Sequence, residues 1–186
     1  MRFWSIPKKL KIFTFLFCSV AMYILATFSV NAQDRLTDQS KLFINGIGSV
    51  RVGMTVEEAS ISAGIKIIND GDIGSCSQLK LQGKPEGIEF LSTNGIIARV
   101  DVYKNKHITT VKGARLEDTE ARIKSLYKGQ IQVSHHSYVP GGHYLTFIPK
   151  DKKDRNYRIV FETDGKRVTW FRSGRLPEVE YIEGCA

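Results

Sequence analysis

Three histidines lie close together in the segment S-H-H-S-Y-V-P-G-G-H: His135, His136 and His143. Imidazole is a common zinc ligand, and a bound zinc ion can activate water for hydrolysis. Adjacent residues of a strand point to opposite faces, so only one of the first two histidines can join His143. We interpret the three as incidental histidines on a surface hairpin. They are weak metal candidates, and a metal-binding protein or metal-dependent hydrolase is the alternative.

Other motifs that carry chemistry are incomplete. Asp70, Asp72 and Gly74 match part of a calcium-binding loop, but the acidic residue that completes such a loop is missing. The glycine-rich G-I-G-S-V-R-V-G lacks the Lys-Ser/Thr ending of a phosphate-binding loop, and no G-x-S-x-G elbow occurs. We therefore expect a protein that is not an enzyme and that needs no cofactor.

The first 32 residues have the pattern of an export signal. Residues 1–11 are basic, residues 12–30 are uncharged and mostly apolar, and Val30 and Ala32 are small residues at a cleavage site. We expect cleavage after Ala32 and export to the periplasm or the medium, with membrane contact only if the segment stays uncleaved. The signal holds four basic residues and no acidic one, so the net charge of +8 becomes 8 − 4 = +4. A net charge this small does not indicate nucleic-acid binding.

The cysteines fit an oxidising compartment. Cys18 lies in the predicted signal, which leaves Cys76 and Cys185 as an even pair. We expect a disulfide between them, which would stabilise the fold by about 4–5 kcal/mol in the chain-entropy model.

Local signals predict a helix and then antiparallel strands. Thr55 and Glu58 have capping-box spacing, and Gly64 suits the end of that helix. A second helix places Leu116, Ile123 and Tyr127 on one face. One hairpin turns at Asn94-Gly95 and another at Asp164-Gly165, dipeptides that accept positive φ in a tight turn.

The recurrence of this pattern predicts an α+β fold of two tandem helix-plus-strand units, with the helices packed on one face of the sheet. The predicted boundaries are a signal peptide at 1–32, a flexible leader at 33–41, a first unit at 42–106, and a second unit at 107–186 that includes a C-terminal arm. The two copies are offset by sixty to seventy positions, so they differ by an insertion.

The run R-V-G-M-T-V-E-E-A, which includes Gly53 and Met54, resembles the outer-membrane-assembly lipoprotein family of the SmpA/OmlA type. It also resembles the β-lactamase inhibitor protein, in which two such units stand in tandem. The second unit keeps Gly113 but has Ala114 and Arg115 in place of the Met-Thr pair. The chain is further similar to uncharacterised exported bacterial proteins that share G-A-R-L-E-D-T-E-A-R-I and P-G-G-H-Y-L. The resemblance implies a layered module whose sheet face binds another protein.

The hairpins suggest where such a partner would bind. An aromatic face ringed by arginine is typical of protein-binding hot spots. The predicted binding residues are Arg99, Tyr103, Phe161, Arg167 and Phe171. We therefore favour an exported, non-catalytic protein-binding module with an unidentified protein partner. A structural envelope protein without a discrete partner is the alternative, and a buried central hairpin is the competing interpretation of the aromatic residues.

Overall fold

The computed structural model describes residues 35–185, so the predicted signal peptide and its cleavage site lie outside the described residues. The residues from Asp34 onward form one compact unit. Within the part that is described, no helix is long and apolar enough to cross a membrane.

Residues 35–185 contain twelve strands and two α-helices. The strands are β1 (Lys41–Phe43), β2 (Gly46–Ile47), β3 (Val50–Arg51), β4 (Ile67–Ile73), β5 (Cys76–Leu81), β6 (Ile88–Thr93), β7 (Ile96–Val102), β8 (Thr109–Thr110), β9 (Ile131–His135), β10 (His143–Phe147), β11 (Tyr157–Thr163) and β12 (Val168–Arg175). The helices are α1 (Val56–Ala63) and α2 (Glu120–Leu126), and two short 3-10 helices cover Lys152–Asp154 and Glu178–Glu180.

The predicted α+β class is wrong, because the chain is mostly β, with its strands in two sheets. The helices have only eight and seven residues and cannot form a helical layer over a sheet. Glu117 has φ +68°, which a helix excludes, so α2 begins after Thr119 rather than near Leu116. Residues 69–73, whose Asn-Asp-Gly-Asp sequence is typical of a turn, instead continue strand β4.

The local signals for α1 and for the first hairpin turn are confirmed. Thr55 caps α1, and Glu58 returns a hydrogen bond to the Thr55 N–H at 2.8 Å, which completes the capping box. Gly64 ends the helix at φ 64°. Asn94 and Gly95 both have positive φ between β6 and β7, as a two-residue hairpin turn requires. A second hairpin also forms, but its loop spans residues 164–167, and Gly165 has positive φ whereas Asp164 does not.

The large sheet has eight strands in the order β4-β5-β6-β7-β12-β11-β10-β9. All its neighbours are antiparallel. We call β4–β7 the first half and β9–β12 the second half. Each half is a four-stranded meander that follows one helix, although whether this reflects a duplicated sequence stays a prediction. β4 and β9 form the two outer edges.

The halves meet where β7 pairs with β12, a seam of four residue pairs from Phe171↔Val102 to Gly174↔Arg99. Position 174 requires glycine because the two strands come very close together there, and not because of its dihedral angles. A Cβ at Gly174 would lie 2.5 Å from the Ala98 carbonyl oxygen. Any larger residue would therefore push the two halves apart.

A small sheet, in the order β3-β2-β1-β8, shares the main core with one side of the large sheet, which we call the core face, and the two short helices contribute Ala59, Ala63 and Ile123 to that core. Strand β1 pairs in parallel with β8, so this small sheet joins residues from both predicted units. Leu36 is buried in the same core, so the predicted leader at 33–41 is partly packed. The buried core includes Leu42, Ile47, Ala59, Ile123, Tyr127, Leu145, Phe161 and Phe171.

The C-terminal arm, residues 176–185, covers the other side of the large sheet, which we call the arm face. The predicted disulfide is confirmed: Cys76 and Cys185 are bonded, with their Cα atoms 5.5 Å apart. Leu91 and Ala98 pack beside the bonded cysteines. The arm therefore supplies the cover that this face of the sheet would otherwise lack.

Two buried arginines hold the arm on the sheet. Arg99 donates from Nη1 to the Tyr181 carbonyl oxygen at 2.6 Å and pairs with the Asp101 carboxylate at 2.7 Å and 2.9 Å. Arg172 donates from Nε to the Val179 carbonyl oxygen at 2.7 Å. One arginine comes from each half, so the arm bridges the seam.

Candidate protein-binding edge

Strand β9 forms an outer edge of the large sheet. Among residues 35–185 it is hydrogen-bonded to β10 alone and ends the strand order, so one side of its backbone is unpaired within this range. His136, the next residue, donates its N–H to the Gly142 carbonyl oxygen at 2.9 Å. In an antiparallel strand, the backbone N–H and C=O groups of successive residues point alternately to one side of the strand and to the other. Counting back from His136, the backbone groups of every second residue therefore also face β10. The residues between them direct both backbone groups to the free side: Ile131, Val133 and His135.

The β9 edge has none of the usual protection against pairing. Edges are normally blunted by charged side chains, proline or a bulge. Strand β9 reads I-Q-V-S-H, and its register with β10 is continuous over all five pairs. Val133 is 45% exposed, and His135 is the one titratable side chain of the strand. This is an uncharged, regular edge, which can template an added strand.

A cleft of about 280 Å³ opens on the arm face beside this edge. Gln132 and Ser134 line it from β9, Tyr144 from β10, Arg158 from β11 and Ile182 from the arm. Alternate side chains of an added strand would project onto this face, next to the cleft. The edge supplies backbone pairing, and the cleft supplies a place for side chains.

A polar network extends into the sheet from Arg172 and Tyr144, which line the cleft. Glu162 accepts a hydrogen bond from Arg172 Nη1 and lies 3.3 Å from His136 Nε2. The His136 ring stacks on Tyr144 with centroids 4.5 Å apart. Arg172 is 2% exposed and is also tied to the arm. These contacts order the strands behind β9, so a bound segment would meet a preformed surface.

The residues predicted to bind a partner do not form one exposed surface. Phe161 and Phe171 are fully buried on the core face and stack on each other with centroids 5.9 Å apart. Arg99 lies on the arm face, paired with Asp101. The buried-hairpin interpretation of the two phenylalanines is therefore the one that the structure supports.

The two remaining predicted binding residues lie apart. Tyr103 stacks on Trp170 with centroids 4.7 Å apart. Burial, followed by the hydrogen bond and charge of Glu89, raises the pKa of Tyr103 to about 12. Arg167 is exposed and donates to the Glu117 carbonyl oxygen at 2.7 Å.

The three histidines are divided between the faces, as strand geometry requires. His135 and His143 are cross-strand partners with ring centroids 5.9 Å apart. His136 lies in the network of the arm face, where its Nδ1 accepts from the Tyr138 N–H at 3.1 Å. Across residues 35–185, no group of three or more His, Cys, Asp or Glu side chains converges on a possible metal position.

Glu120 connects α2 to this histidine pair. Its Oε1 lies 2.7 Å from His143 Nδ1 and accepts from Thr163 Oγ1 at 2.6 Å, and its Oε2 accepts from Lys124 Nζ at 3.2 Å. Burial disfavours the charge of Glu120, but these hydrogen bonds outweigh it and hold the pKa of the carboxyl below its usual value. Thr163 Oγ1 donates to the Glu120 carboxylate and to the His143 backbone carbonyl oxygen at 3.3 Å, but not to the His143 ring, so the three residues do not form a nucleophile–base relay.

Sequence reasoning missed β9 as a binding edge. Its position at the end of the eight-stranded sheet depends on β12 pairing with β7, a contact across about seventy residues. The available signal was the lack of charge in I-Q-V-S-H, in contrast to N-D-G-D in the strand at the other end.

No protein-family model and no curated protein matches the chain. Among solved structures, the chain is similar to the crystal structure of the uncharacterized protein yfeY from Escherichia coli. That similarity has a TM-score of 0.48 and 14% sequence identity, and it covers 73% of this chain and 99% of that chain.

Proposed function

We propose that the chain is an exported, non-catalytic protein-binding module that takes up an extended, uncharged segment of another protein along β9. One observation carries the proposal: β9 is a regular, uncharged edge with three outward-facing residues beside a preformed cleft. Strand addition to an exposed edge is a recurring mode of peptide recognition.

The energetics indicate that backbone pairing needs help from side chains. Three outward-facing residues offer six backbone groups, and each hydrogen bond contributes about 0.5–1.5 kcal/mol net, or roughly 3–9 kcal/mol together. Association costs about 4–15 kcal/mol in lost freedom. The middle of the first range lies below the middle of the second, so pairing alone would hold a partner only weakly. Side chains of the segment must also fill the cleft between β9 and the arm.

Export is supported by the disulfide, since such bonds form and persist in oxidising compartments. The periplasm or the medium is the proposed location, with the signal in residues 1–32. The resemblance to tandem protein-inhibitor modules supports the same class of function.

The test uses the oxidised chain of residues 33–186 and a displayed library of random eight-residue peptides. Enriched peptides are synthesised and added to the ¹⁵N-labelled protein, and amide hydrogen exchange is followed residue by residue. We expect at least tenfold slower exchange at the Val133 and His135 amides. Val133→Pro removes an outward-facing donor without breaking the pairing with β10, so it should abolish binding.

A matched pair of charge variants completes the test. Val133→Lys and Ile73→Lys place the same charge on the two edge strands, at positions that are 45% and 60% exposed. Only Val133→Lys should weaken peptide binding. Equal loss in both variants, peptides that protect other residues, or a library that yields no binder would overturn the proposal. A dimer with β9 amides already protected would assign the edge to a second copy of the chain instead.

A further inference from the structure

We propose that His135 and His143 form a two-histidine site for a divalent transition-metal ion, with Glu120 as the positioning residue for His143. This site lies on the core face at the β9–β10 ladder and is independent of the proposed peptide-binding role.

The backbone places the two rings together. His135 and His143 lie directly opposite each other in the β9–β10 pairing. Because the backbone groups of His135 point away from β10, the two residues form a non-hydrogen-bonded pair. Side chains are closest in such pairs, with Cα atoms about 4.5 Å apart. The ring centroids are 5.9 Å apart and the ring planes are inclined by 36°.

That separation suits one shared ion. Histidine nitrogens bind zinc at about 2.0–2.1 Å, so the centroid of each ring would lie roughly 3 Å from the metal. Two rings that share one ion can therefore have their centroids at most about 6 Å apart. The observed 5.9 Å is inside this limit. His135 is exposed, so its ring can rotate to close the angle at the metal without disturbing the core.

Glu120 prepares His143 as a ligand. An ionised carboxylate can only accept hydrogen bonds, so the 2.7 Å contact places the hydrogen on His143 Nδ1. With the hydrogen on Nδ1, Nε2 is the ring nitrogen that is left to bind a metal. A carboxylate on the other nitrogen of a ligating histidine fixes the ring and raises its basicity. Thr163 and Lys124 hold Glu120 in place from two further directions.

His136 is not part of this site. Its Nδ1 accepts from the Tyr138 and Val139 N–H groups at 3.1 Å and 3.3 Å, and its Nε2 lies 3.3 Å from Glu162. Both ring nitrogens are therefore engaged on the arm face. Two imidazoles leave the remaining coordination positions to water, and such nitrogen ligands bind copper(II) more tightly than nickel(II) or zinc(II).

The test is a titration of the untagged, peptide-free chain of residues 33–186 with CuCl₂ and ZnCl₂, followed by calorimetry and electron paramagnetic resonance. We expect one copper ion per chain with two nitrogen ligands. His135→Ala should lower the affinity at least tenfold, and because His135 is exposed this variant should still fold. Glu120→Gln should lower it by about 10–100-fold while both histidines remain.

His107→Ala is the control, because His107 is exposed and distant in sequence from the hairpin. It should leave the affinity and the spectrum unchanged. A signal from one nitrogen, an affinity unchanged in His135→Ala, or a loss of equal size in His107→Ala would overturn the site. Peptide binding along β9 is measured without metal, so either proposal can fail while the other stands.

Discussion

The outer strands of the two halves differ in how they meet solvent. In the first half, β4 carries Asp70 and Asp72, and its register with β5 shifts between Asn69 and Gly71. In the second half, β9 carries no acidic or basic residue other than His135 and pairs without a shift. The edge strand of the first half, β4, is therefore protected against pairing with another strand. The edge strand of the second half, β9, is unprotected, and we call it the open edge. Protection of an edge is a property of its side chains, not of its topology.

The halves also differ in how the arm is attached. The arm follows β12 directly in the chain, so it is peptide-bonded to the second half, and its far end is bonded to the first half through the Cys76–Cys185 disulfide. Arg172 and Arg175 add polar contacts from the second half. Without the disulfide, the first half would hold the arm only by contacts that are individually reversible.

The largest expected effect comes from removing the disulfide. Cys76→Ser with Cys185→Ser should lower the free energy of unfolding by about 4–5 kcal/mol, since the bond closes a loop of 109 residues. Denaturant unfolding measures the loss. Hydrogen exchange should rise more at Leu91 than at Val160, because only the first half loses its attachment. Equal increases would contradict the difference between the halves.

The next effect concerns the polar attachment. Arg172→Ala leaves the Glu162 carboxylate without its buried partner and should cost about 3–5 kcal/mol in the free energy of unfolding. Urea unfolding of the variant measures it. The double variant Arg172→Met with Glu162→Leu should recover much of the loss, because no charge is left unpaired. A double variant as unstable as Arg172→Ala would show that the bond to Val179 dominates.

Exchanging the charged side chains of one edge strand for the uncharged ones of the other should change stability only slightly. It should have a clear effect on the association of protein molecules. Asp70→Val with Asp72→Val makes β4 resemble β9 and should speed aggregation, while Val133→Lys should slow it. The free energy of unfolding should change by less than about 0.5 kcal/mol for the exposed Val133 substitution. Light scattering at several protein concentrations gives the rates. An aggregation rate that is the same in both variants as in the unmodified protein would show that neither edge controls aggregation.

The smallest effect is a pH dependence of the arm. Burial disfavours the charge of Glu178, but the Arg175 hydrogen bond outweighs it, and the pKa of Glu178 is held below its ordinary value of 4.5. A depressed folded pKa adds stability above the ordinary value and loses it as the pH falls through the folded value. Stability should therefore decline below about pH 4.5, and Glu178→Gln should remove part of the decline in acid unfolding curves. Identical curves would contradict this contribution.

The sequence predicted the features that depend on near neighbours. The capping box at Thr55 and Glu58 and the Asn94-Gly95 turn were confirmed, because each is fixed by residues within a few positions. The fold class was wrong for the same reason. Glu117 adopts positive φ because its N–H donates to the Val168 carbonyl oxygen at 2.8 Å, a contact that no local pattern reveals.

The candidate site was predictable only in part. The prediction that only one of His135 and His136 can join His143 needed only the alternation of a strand, and the structure shows that His135 is the one. The choice of Phe161 and Phe171 as a binding face depended on which face was covered, and small-sheet residues such as Ile47 share the core with them. The glycine-rich stretch that supplies Ile47 gave no sign that it would pack there.

The disulfide also determines how the protein bears mechanical load. A force that pulls on Arg35 and Cys185 passes from Cys185 directly to Cys76, so the chain between the cysteines carries none of it. Only residues 35–75 can extend, by roughly 140 Å at about 3.5 Å per residue. Reduction of the bond releases a further 109 residues, or about 380 Å. The open edge and its cleft lie wholly within the shielded segment, so a partner held there would stay in place while the chain is stretched.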